Sequence, residues 1–169
     1  MECSPYRLAA MLAAALEANL RDTRGGVPDR LAVYPHVDPA IEFCPDGMAW
    51  VGIGSIRPAA GGGRGSACAI SWDVEMVVGV ARCYPTEENN GAPALAAVDS
   101  ASRDILDDAE AMRRAVRDAF EDEEPLVSGW QPVPPRGGVH GSKLTVSVRV
   151  GMGDYTEPRS PMMPGDPRA

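Results

Sequence analysis

Alternation is the strongest pattern in this chain, and it runs from Ala67 to Tyr84. Cys68, Ile70, Trp72, Val74, Met76, Val78 and Val80 fall on one side of a period-two repeat, and Ala67, Ala69, Ser71, Asp73, Glu75, Gly79 and Ala81 on the other. A period of two is that of a strand with one buried face. The second side is small or acidic, which predicts a face that is wetted or turned toward another subunit. At roughly 3.3 Å per residue the stretch would span about 55 Å, more than the width of a domain of this size. A bend, with Gly79 as its site, or a projection beyond the body is expected.

The remaining elements follow from the same kind of pattern. Ser4-Pro5 starts a helix, with Ser as N-cap and Pro at the first helical position. Leu8, Met11, Leu12, Ala15, Leu16 and Leu20 then recur at three- and four-residue spacing, so residues 5–22 are read as a helix packed on a sheet. Arg21 and Arg24 suit its negative C-terminal end, and Gly25-Gly26 stops it. Residues 31–34 form a short edge strand closed by Pro35. Cys44-Pro45-Asp46-Gly47 is a turn, and 48–56 a second strand. In that strand Gly52 and Gly54 leave room on one face for a neighbouring backbone or a bulge. Residues 58–66 make the glycine-rich tip of an antiparallel hairpin joining 48–57 to 67–84.

Pro93 opens a second helix of about 27 residues, roughly 40 Å long. Leu95, Val98, Ala101, Ile105, Ala109, Met112, Val116 and Phe120 mark its apolar side. Asp107-Asp108 and the run 121–124 are read as solvated acids. Residues 126–135 are extended and proline-limited, anchored by Trp130. Residues 136–142 are a glycine-rich loop carrying His140, and 143–150 alternate cleanly as a last strand. The fold class is therefore α+β: a mostly antiparallel or mixed sheet with a long hairpin, packed by an N-terminal helix and a longer second helix, in the order α-β-β-β-α-β. Residues 1–150 form this domain. Residues 151–169, rich in Pro and Gly without a period, form a tail expected to be disordered alone. Tyr155, Met162 and Met163 are its candidate anchors on a partner.

Composition narrows the chemistry. The net charge of −8 argues against a grip on nucleic acid phosphates, which needs clustered Lys and Arg. Aromatics are 5% of the chain, so the core is thin and gains from partners. The four cysteines have no CxxC spacing and are read as reduced thiols, with a Cys44–Cys83 disulfide as the alternative. His36 and His140 have no metal-ligand spacing, and His140 lacks triad partners at catalytic spacing. No phosphate-binding GxxxxGK[ST] pattern occurs and no apolar run is long enough to span a membrane. No catalytic residue, cofactor or metal is expected.

Three local motifs then carry a resemblance: VPDRLAVYP at 27–35 before the CPDG turn, ARCYP at 81–85, and GWQPVPPRGGVHG at 129–141. With the element order and the alanine-rich second helix, they resemble the tail terminator proteins of long-tailed bacteriophages of actinobacteria, over residues 5–150. The resemblance implies a structural virion protein without catalytic activity. It implies a homo-oligomeric ring, usually a hexamer, that caps the tail tube, stops its growth and joins a head–tail connector or stopper. DNA passes through its lumen without specific binding. Assembly would take place in the host cytoplasm, and the final location is the virion neck. On that reading Asp73 and Glu75 are candidates to face the lumen, and Arg64, Arg136, His140, Tyr155, Met162 and Met163 to contact partners. The alternatives are another neck connector or stopper, a monomeric host-directed interaction module, and, from a different class, a thiol-dependent small-molecule enzyme using Cys83 or Cys44.

Overall fold

The structure, a computed structural model, describes residues 4–40, 47–59, 71–86 and 92–151. Its elements are α1 (Pro5–Leu20), β1 (Arg30–Tyr34), β2 (Met48–Pro58), β3 (Ser71–Cys83), α2 (Leu95–Ala119), β4 (Leu126–Arg136) and β5 (Val139–Gly151). The strands form one sheet in the order β1-β2-β3-β5-β4. β1 runs parallel to β2; every other neighbouring pair is antiparallel. The fold is α+β, as the pattern predicts, with one strand more than expected.

Both helices pack on the same face of the sheet. Ser4 caps α1, its hydroxyl oxygen accepting from the Arg7 amide at 3.2 Å. Leu8, Leu12, Leu16 and Leu20 of α1 are fully buried, together with Met112, Ala115 and Val116 of α2. The sheet meets them with Ala49 and Val51 of β2, Val74, Met76, Val78 and Val80 of β3, and Leu144 to Val150 of β5, every second residue. The period-two face read from the sequence is thus the core face. Fully burying one such leucine stabilises by about 1.5–3 kcal/mol, and these contacts fix the helix layer over β1, β2, β3 and β5.

Several expectations are corrected. β3 pairs with β5 from Ser71 to Cys83 without a register shift, so Gly79 is no break in it. Residues 67–70 lie outside the described residues. α2 begins at Leu95, whose side chain is exposed rather than part of the apolar side. Asp108 is fully buried instead of solvated. The stretch 126–135 is a true strand, and the loop expected over 136–142 shrinks to Gly137-Gly138. Both glycines have positive φ, 60° and 79°. That is the backbone of a two-residue hairpin turn whose twist matches the strands, and Gly-Gly satisfies it without a Cβ clash. His140 consequently lies on β5 and not in a loop. Cys83 is disulfide-bonded, not reduced. Cys3, Cys44 and Cys68 lie outside the described residues, so its partner does too.

Candidate assembly surfaces

The sheet face opposite the helices is the first surface to consider. Because β1 and β2 are parallel neighbours, the chain must return to the start of the sheet between them. It leaves Tyr34 and crosses the outer face as a strap, residues 35–40. The strap needs glycine beneath it: a Cβ at Gly52 would lie 2.3 Å from the His36 carbonyl oxygen. The bulge between Ile53 and Ser55 sits beside it, at Gly54. Trp50 donates its ring N–H to the Val37 carbonyl at 3.1 Å and lies over Gly79, where a Cβ would come within 2.2 Å of the indole. Gly79 thus makes room for an aromatic ring. Lys143 on β5 ion-pairs with Asp38 of the strap. A cavity of about 510 Å³ remains at this end, lined by Pro39, Trp50, Ala81, Val133, Arg136 and Val139 among others.

The outer face is therefore not a uniformly wetted acidic surface. Near the strap, Trp50, Val77 and Ala81 are buried by the chain itself. Toward the other end of β3 the acids meet cations. Arg149 on β5 donates to both Asp73 oxygens, at 2.8 and 3.2 Å, and holds that carboxyl below its usual range. Arg57 stands opposite Asp73 on the other neighbour, β2. Glu75 is half-exposed and makes no ion pair among the described residues. The acids of the α2–β4 turn, Asp122, Glu123 and Glu124, line a separate cleft with Asp73, Leu126, Ser147 and Arg149.

The second surface is the edge strand β4. Almost all of it is exposed on both faces, because the helix layer stops at β5. Trp130 and Val133 are the exceptions: Val133 lines the cavity, and Trp130 packs against the core, as its sequence position predicts. Leu126 is 67% exposed and its neighbour Val127 41%. Two adjacent exposed apolar residues on an open strand edge are unusual, since such edges are normally blunted.

The third group is internal. Arg82, at the end of β3, points to the helix side and binds both oxygens of Asp108 on α2 at 2.6 Å. It also donates to the carbonyls of Gly25 and Gly26 after α1, each at 2.8 Å. Burial raises the Asp108 carboxyl above its usual range, and the hydrogen bonds it accepts from Arg82 oppose that rise without reversing it. His140 faces the same way, with the Tyr84 ring edge-on at 5.2 Å. Burial lowers its pKa, Asp104 raises it and Arg82 lowers it further. Its Nε2, Oδ1 of Asp104 and Oγ of Ser142 are buried without hydrogen-bond partners. Ser142 is fully buried, which leaves a substrate no path to its hydroxyl.

The residues singled out from sequence thus scatter. Asp73 and Glu75 share the outer face of β3 but differ in pairing. Arg136 is exposed at the hairpin turn, whereas His140 is interior. Arg64, Tyr155, Met162 and Met163 lie outside the described residues. Sequence reading missed the buried Arg82–Asp108 pair and the open β4 edge. The Gly-Gly turn before β5 was the signal that would have located that edge. Among the described residues no group of three or more His, Cys, Asp or Glu is placed to hold a metal ion, and no helix is long and apolar enough to cross a membrane. No protein-family model matches the chain, and no curated protein matches it.

Proposed function

We propose that this chain is a tail terminator of a long-tailed bacteriophage, a ring-forming virion protein that caps the tail tube and joins it to the neck. The observation that carries this reading is the unfinished sheet. Among the described residues the helices cover one face only, and β4 ends the sheet mostly exposed, with Leu126 and Val127 in the open. A closed ring removes such edges, because each copy covers the edge of the next. The disulfide at Cys83 counts against the enzyme alternative, since that sulfur is not a free nucleophile.

In this reading the outer face of β3 is the candidate lumen wall. With Asp73 held by Arg149, Glu75 is the carboxylate that would repel passing phosphates. The ring would contact the tail tube protein on one side and the connector or stopper on the other.

Depleting the chain during phage assembly tests the proposal. The expected result is tail tubes of unregulated length and heads without tails. Tubes of normal length joined to heads in its absence would overturn it.

A further inference from the structure

Proline placement divides β4 into two unlike halves. Pro132 stands opposite Ser142 of β5. Having no N–H, it cannot donate to β5, so its nitrogen points to the open side of the sheet. Pro134 and Pro135 follow, inside the register shift that precedes Arg136. The half next to the hairpin turn is therefore poor in donors and resists another strand. The other half, Leu126 to Gln131, contains no proline and keeps every N–H. It also carries the exposed Leu126 and Val127. The prolines thus sit on one half only; the half without them is about six residues long and carries one register shift, between Val127 and Gly129.

The opposite edge of the sheet is β1, five residues long, ended by Pro35. Its length matches the open half of β4. The strand directions match as well. β1 runs with β2, β3 against it, β5 with it and β4 against it. If the next copy continues the sheet in the same sense, its β1 lies antiparallel to β4. That direction brings Leu126 and Val127 toward Val33 and Tyr34, and Gln131 toward Arg30. Apolar residues then meet across the strands, which stabilises a sheet by roughly 0.2–1 kcal/mol per pair.

From these observations we infer that β4 residues Leu126–Gln131 pair antiparallel with β1 residues Arg30–Tyr34 of a second copy, making a head-to-tail contact. The contact is heterologous, so repetition closes a ring or runs on as a filament. The inference rests on the ring reading above and specifies which edges join.

Two variants test it. Leu126→Asp with Val127→Asp puts charge on the β4 edge, and Ala32→Asp does so on the exposed β1 edge. Each variant alone is expected to be monomeric by light scattering under conditions where the wild type forms rings. Mixed in equal amounts they should form a one-to-one dimer, because each retains the edge that the other lost. Rings formed by either variant alone, or no dimer on mixing correctly folded variants, would overturn the pairing while leaving the ring reading intact. Hydrogen exchange on wild-type rings needs no variant. Amides of 126–131 and 30–34 should slow by about tenfold or more in the ring relative to dilute monomer. Unchanged exchange at both edges would refute the pairing. A wild type that stays monomeric even with tail tubes added would overturn both readings.

Discussion

Removing the carboxylate of Asp108 isolates what holds the base of the sheet to its helix layer. Arg82 makes two hydrogen bonds to Asp108 and two to the carbonyls of Gly25 and Gly26. Its side chain is 13% exposed and that of Asp108 0%. Asp108→Ala leaves a largely buried guanidinium without a counter-ion, a loss that typically costs about 3–5 kcal/mol. For a chain of this length each kcal/mol moves the melting midpoint by roughly 2–4 °C, so a fall of about 6–20 °C is expected. Urea denaturation followed by circular dichroism gives the free energy directly. The double variant Arg82→Met with Asp108→Leu is the decisive comparison. It removes both charges together, and the carbonyl of exposed Gly25 can return to water. It should therefore be more stable than Asp108→Ala, because the penalty is an unpaired charge and not a lost attraction. A loss below about 1 kcal/mol for Asp108→Ala, or a double variant less stable than the single, would refute this account.

Three further outcomes are expected. Gly79→Ala places a methyl against the Trp50 ring and should destabilise by about 1–3 kcal/mol, with Trp50→Leu restoring part of it when the two are combined; an unchanged urea midpoint would refute the contact. Burial holds the His140 pKa below its ordinary 6.5, so the unfolded chain takes up that proton first on acidification; stability from this group is complete above 6.5 and falls as pH drops through the folded-state pKa, and His140→Phe should flatten that part of a stability–pH profile measured between pH 5 and 8. Ser4→Ala removes the α1 cap and should cost about 1 kcal/mol in the same denaturation assay.

The chain's own pattern determined the elements that bury a regular face. A strand seen as Val74, Met76, Val78 and Val80, or a helix seen as Leu8, Leu12, Leu16 and Leu20, repeats at the period of its backbone, and burial needs only that repeat. Gly52 and Gly54 announced a close neighbour for the same local reason: a missing side chain leaves space. Only the tertiary structure decided what filled that space, because the strap comes from the crossover that parallel β1 and β2 require. It alone made Asp108 an interior group: an aspartate on a helix looks solvated until Arg82, 26 residues away on β3, supplies the opposing charge. Likewise Asp73 looked like a free acid until β5 placed Arg149 across from it. Pairings between distant residues depend on strand order and register, and no period along the chain encodes either.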